Sequence, residues 1–152
     1  MEEIVDQSFD VFAIAGAVAE TLNNAGLLPE GIEAKADPVP EFELEETEVL
    51  QVPVSPSHVY LEEQSRSERK HRLIIQIAFL KHISDKSEIP ALVNTLQHVA
   101  GWFRHEEFTA GAVQCHVTDT ECDPLYDPDE FREKHEFFGV VILEIEAYEV
   151  VR

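Results

Sequence analysis

Asp123–Val151, DPLYDPDEFREKHEFFGVVILEIEAYEVV, decides how the rest of the chain folds. It opens on turn chemistry, with Asp-Pro at 123–124 and again at 127–128. A short helix follows, for which Asp127 is the N-cap, Pro128 the first helical residue and Glu130 the third. From Phe137 the period changes to two. Phe137, Gly139, Val141, Leu143, Ile145 and Ala147 fall on one face, and Phe138, Val140, Ile142, Glu144, Glu146 and Tyr148 on the other. The first half is apolar on both faces and is expected to be covered on both. The second half is polar on one face and belongs at a rim or edge. The stretch reads as a long antiparallel strand that closes the core.

Its predicted partner is His71–Ile83. Leu73, Ile75, Ile77, Phe79 and Ile83 share one face of that strand; Ile74, Gln76, Ala78 and Leu80 share the other. Two helices are expected to cover one side of this pair. In residues 8–25, Val11, Ile14, Ala15, Val18, Leu22 and Ala25 form a helical stripe, with Ser8 or Asp10 to cap the start and Gly26 at the left-handed C-terminal position. In Glu88–Arg104, Ile89, Leu92, Val93, Leu96, Val99, Ala100 and Phe103 repeat at three and four, and Pro90 sits harmlessly in the first turn.

The remaining segments are shorter. Leu27–Pro40 reads as a loop with a short strand at Ile32–Ala36. Glu41–Glu48 is one turn of helix or a rim strand. Val49–Val54 is a strand with Pro53 at an edge or strand end. Val59–Glu63 is a further short strand or extended loop, and Val113–Thr118 is one more short strand. Neighbouring strands are mostly joined without a crossover helix. The expected architecture is therefore α+β: a mainly antiparallel sheet of about four to five strands, two main helices on one face and a short third helix. One domain spans 1–152, its core about 8–150, with 27–48 and 105–123 rich in loop.

At 152 residues the chain can bury roughly 68–70% of its unfolded surface, and a hydrophobic content of 44% places it among globular proteins. No apolar run approaches the ~18 residues of a membrane span. Val11–Ala19 is too short for one, and acidic residues precede it, which makes it a poor signal peptide and points to cytosolic synthesis. The two cysteines, Cys115 and Cys122, flank an acidic turn and read as reduced thiols, with a bridge as the alternative. Charge is the strongest compositional fact: 31 acidic against 11 basic residues leave a formal net charge of −20. Such a surface repels nucleic-acid phosphates and anionic lipid.

Catalytic signatures are missing from the sequence. It holds no GxSxG, P-loop, GxGxxG or HExxH motif. Its seven histidines are scattered, and Cys115-His116 with Cys122 lacks the second ligand pair of a zinc site. Asp119, Glu121, Asp123 and Asp127 lack the glycine and distal glutamate of a calcium loop. No catalytic residue, cofactor or metal ligand is assigned.

Several features taken together resemble the small tail terminator and neck proteins of long-tailed bacteriophages. One is Pro124-Leu125-Tyr126-Asp127-Pro128, followed by Phe131-Arg132-Glu133, the pair Phe137-Phe138 and the strand VVILEIEAY. The other is the upstream order: an N-terminal helix, the segment Pro40–Glu45, the proline-containing strand Val49–Val54, an arginine-containing turn, a long strand and an IxxLVxxL helix. The similarity covers most of 8–148 and rests on the order of its parts. It implies an α+β subunit without catalytic residues that assembles with itself as a ring, usually a hexamer. That ring caps the tail tube and joins it to the head connector in the virion neck, after synthesis in the host cytoplasm, with DNA passing through unbound. This chain departs from the pattern in being more acidic and in a longer 105–122 segment.

An acidic lumen would let DNA slide past, and a ring requires two different patches to meet. The only basic stretch, SRSERKH with Arg66, Arg69 and Lys70, is a candidate to dock on a neighbour's acidic face. Trp102, on the polar side of its helix, is a candidate anchor, with packing under a loop of its own chain as the alternative. Tyr126 and Phe138 are candidate contacts or packing residues. Two other functions compete: a head-completion protein beside the connector, and an acidic DNA mimic that blocks a host nucleic-acid-binding protein.

Overall fold

Two 15-residue strands, β3 (Glu68–His82) and β6 (Glu136–Val150), pair antiparallel along their whole length in the computed structural model, which describes residues 10–60 and 68–150. Their register sets Leu73, Ile75, Ile77 and Phe79 opposite Ile145, Leu143, Val141 and Gly139 on one face. All of these side chains are buried. Each large aliphatic or aromatic one contributes about 1.5–3 kcal/mol on leaving water, and a one-residue slip would turn the whole set outward. Alternation in the sequence is therefore sufficient to specify these strands.

Around this pair the sheet has six strands in the order β1-β2-β3-β6-β5-β4. The others are β1 (Ala34–Ala36), β2 (Val52–Tyr60), β4 (Glu107–Ala110) and β5 (Val113–Cys122). The fold is α+β, as expected, but the sheet is larger than four to five strands and is mixed, because β1 runs parallel to β2. Sequence patterning finds the edge strand β1, within the short strand expected at Ile32–Ala36, but misses β4, which is only four residues long. β1 is held by a side chain: the Asn23 amide nitrogen donates to the Ala34 carbonyl at 2.9 Å, and the Ala34 N–H donates to Asn23 Oδ1 at 2.7 Å. The amide thus occupies the place of a strand neighbour. The segment 105–123, expected to be loop-rich, is mostly β4 and β5.

Irregular pairing explains the misjudged strand lengths. β5 shifts register between Val117 and Asp119. Its inward residues are Val113, Cys115 and Val117 before the shift, then Thr120 and Cys122, opposite Leu143 and Val141. A strict period of two loses phase there, so the expected strand ends early. β2 likewise shifts between Pro56 and His58, beside a proline, where a missing donor is tolerated. Pro53 lies one residue inside the start of β2. Glu46–Glu48 is a 3₁₀ turn.

Helices α1 (Val11–Ala25), α2 (Ile89–Phe103) and α3 (Pro128–Lys134) complete the fold. Asp10 caps α1, accepting from the N–H groups of Phe12 at 2.9 Å and Ala13 at 3.4 Å. Asp127 caps α3 in the same way, accepting from Asp129 and Glu130. Ser8, the other predicted cap, lies outside the described residues. Helix α1 packs against β1, β2 and β4, so the sheet curls until both of its edges meet one helix. Helix α2 lies over β5 and β6, burying Leu96, Val99, Ala100 and Phe103.

Gly139 is a packing requirement. After β5, the chain stays on β6 through Asp123 N–H to the Val140 carbonyl and Val140 N–H to the Pro124 carbonyl, both at 3.0 Å. A Cβ on Gly139 would stand 2.5 Å from Leu96 Cδ1 and 2.6 Å from the Leu125 carbonyl oxygen. Relieving glycine's strand penalty is worth roughly 0.5–1 kcal/mol, whereas overpacking costs about 1–3 kcal/mol. Gly139→Ala is therefore expected to lower the thermal midpoint by several degrees. An unchanged or raised midpoint would show that Leu125 yields freely.

Candidate functional site

The outer face of the β3–β6 pair divides into two halves. Toward one end it is a charged ladder: Lys70 Nζ lies 3.2 Å from Glu146, Arg72 lies 3.5 Å from Glu144, and the Tyr148 hydroxyl donates to Glu146 at 2.6 Å. The Arg72 guanidinium also stands 4.3 Å above the Tyr60 ring. The Tyr148 hydroxyl, aided by Lys70, holds the Glu146 carboxyl below its ordinary range. This is the polar half of β6 anticipated from its sequence.

Toward the other end, Ala78, Leu80, Phe138 and Val140 line a cleft of about 320 Å³ with Gln76 and with Phe42 from the loop beyond β1. The expectation that 137–142 would be covered on both faces therefore needs correction. The inner face is sealed by α2 and Leu125; on the outer face Val140 is buried, as expected, whereas Phe138, Ala78, Leu80 and Ile142 stay half-buried. Among the described residues no α-helix or strand lies over them; Pro40 and Phe42 of the loop beyond β1 and Ser55 of β2 border the cleft.

The predicted contact residues are not gathered in one place. Arg66 lies outside the described residues. Arg69 is opposite Glu149 in the β3–β6 register. Lys70 is already paired with Glu146 in its own chain. Trp102 is half-buried, meets Phe103 edge-on at 5.1 Å and packs against the core. Tyr126 is 38% exposed. Phe138 lines the cleft. What sequence reasoning passed over is the cleft itself. Its strand residues were visible as an apolar outer face, but its wall at Phe42 comes from a distant segment.

A second hollow, of about 350 Å³, lies by Glu107, His116 and Tyr148. His116 Nδ1 is 3.5 Å from Glu107 there, and its ring is 6.4 Å from that of His105. The thiol at its wall, Cys115, is pushed up to about 12 by burial and so offers no thiolate. Burial, reinforced by Glu121, also raises the Cys122 thiol. Both cysteines are free and lie on the one strand β5. At ~3.3 Å per residue they are roughly 20 Å apart, far beyond the ~7 Å limit of a disulfide. Iodoacetamide at mildly alkaline pH is expected to spare Cys115, label Cys122 slowly, and label both at once after unfolding; rapid native labelling of Cys115 would contradict this burial. Among the described residues no group of three or more His, Cys, Asp or Glu side chains is placed to hold a metal ion. No helix there is long and apolar enough to cross a membrane.

No family model matches the chain, and no curated protein matches it. Solved structures do match. In one of them the TM-score is 0.57 at 15% identity, over 92% of this chain and 94% of the other. At that identity the likeness concerns the fold.

Proposed function

We propose that this chain is a structural subunit of the neck of a long-tailed bacteriophage, forming a ring that caps the tail tube and joins it to the head connector. The observation that carries the reading is the order of segments resembling tail terminators, from α1 through the Pro40–Glu45 segment to β6. The charge supports it. With 31 acidic residues against 11 basic, and with Lys70 and Arg72 already paired to Glu146 and Glu144, the surface is poorly suited to hold DNA and well suited to let it pass.

The test is to add the purified chain to uncapped phage tail tubes and image their ends by electron microscopy. A terminal cap of one ring is the expected result. Bare tube ends, together with a soluble complex between this chain and a basic nucleic-acid-binding protein, would replace the neck reading with that of an acidic DNA mimic.

A further inference from the structure

Charge is distributed unevenly over the two layers. Charged residues make up 28% of the chain, so the 30 positions of α1 and α2 would carry about eight (0.28 × 30). They carry one, Glu20. Burial does not account for this. Ala91, Asn94, Gln97, His98 and Gly101 form the exposed side of α2, and in α1 Phe12 is 54% exposed beside exposed Ala13. An exposed helix face in so acidic a chain would ordinarily be charged, both for solubility and to support the helix. The second uncharged surface is the cleft on the outer side of the sheet, none of whose lining residues is ionisable.

These two surfaces lie on opposite sides of the domain. The helices pack on the inner face of the sheet with Leu73, Ile75 and Val141, while the cleft is built from the outward residues of the same strands. We infer that the outer face of the helix layer of one copy docks over the sheet cleft of the next, with a second copy of this chain as the occupant. Each copy brings its own charge of −20, so two copies repel least where neither side carries charge, and among the described residues these two surfaces are broad uncharged ones. A basic partner would instead be drawn to the acidic loops, such as Glu41–Glu48. Because the patches differ and face opposite ways, the contact is heterologous and propagates from copy to copy until it closes or continues as a filament. This rests on the ring reading and names the two faces that would build the ring.

The test uses sedimentation of the full chain over a concentration series in high salt, where the screening length falls to ~3 Å at 1 M and self-repulsion is suppressed. The helix face is altered by Asn94→Glu with His98→Glu, both exposed one turn apart. The cleft is altered by the isosteric Gln76→Glu and, separately, by Ala78→Glu, with circular dichroism to confirm folding. The unaltered chain is expected to assemble beyond dimers, and each folded variant alone to associate at least about 100-fold more weakly, because an unpaired charge is then desolvated in the contact. An equimolar mixture of the helix variant and the Gln76→Glu variant is expected to give a one-to-one dimer and nothing larger, since each retains one intact face. A monomeric unaltered chain at every concentration, a helix or cleft variant that assembles normally, or a mixture that stays monomeric would each overturn the inference. A chain that assembles through these faces yet caps no tail tube sinks the neck reading alone. A chain that caps tubes while these variants assemble normally sinks this one alone.

Discussion

Phe79→Ala is expected to lose about 3–5 kcal/mol of folding free energy, the cost of emptying a fully buried aromatic site. Phe79 has no exposed surface, and its cross-strand partner in the β3–β6 ladder is Gly139. A residue opposite a bare glycine cannot be replaced by its neighbour's side chain. Nor can the surroundings collapse easily onto Gly139, because Leu96 and the Leu125 carbonyl already stand where a Cβ would be. Incomplete collapse leaves a cavity, and cavity volume sets the upper part of the range. Domains of this kind hold only 5–15 kcal/mol in total, so the variant would lie near the limit of stable folding. In urea the midpoint should fall by more than about 1 M with the slope unchanged. Phe79→Leu, which keeps most of the volume, should lose less than half as much. If the two substitutions cost the same, the loss would come from the aromatic ring itself and not from the cavity.

How much was legible in the sequence depended on the range of the interactions involved. The 3.6-residue stripes of α1 and α2 and the alternation of β3 and β6 are local patterns, and the structure places those elements within three residues of the expected bounds. Asp10 and Asp127 were readable as caps because a cap is made within three residues of itself. The register shifts in β2 and β5 were not readable, since a bulge is settled between strands. The short strand expected at Ile32–Ala36 is present as β1, but its anchoring by Asn23, eleven residues earlier in the chain, was not readable. The apolar outer side of β3 and β6 was visible, but whether another element covers it is a tertiary fact. The scarcity of charge in α1 and α2 could have been counted from the sequence alone. It gains meaning only once Ala91, Asn94 and His98 are seen to face outward.

Removing Glu149 should cost about as much as emptying Phe79, for a different reason. Glu149 is only 2% exposed, near the end of β6, and acidic residues are almost never buried this deeply unless paired. Its Oε1 lies 3.2 Å from Nε2 of His71, itself buried on the inner face of β3. Glu149→Ala would remove the carboxylate that faces His71 Nε2. Breaking a buried pair from one side typically loses about 3–5 kcal/mol. Replacing both members, as in His71→Phe with Glu149→Leu, should recover part of that, since removing both partners of a buried polar contact leaves neither of them unsatisfied. The recovery separates an unmet polar group from a simple loss of volume. The pair also addresses a weakness of the β3–β6 ladder. Alternation forbids a one-residue slip but permits a slip of two, which keeps every apolar side chain on its proper face. Such a slip would separate His71 from Glu149 and set a side chain opposite Phe79 where Gly139 now admits Leu96 and the Leu125 carbonyl. The double variant should therefore stay folded while losing one of two register marks. Combined with Gly139→Ala, it should show doubled amide resonances along β3, and a single set of resonances in that triple variant would mean the register is fixed elsewhere.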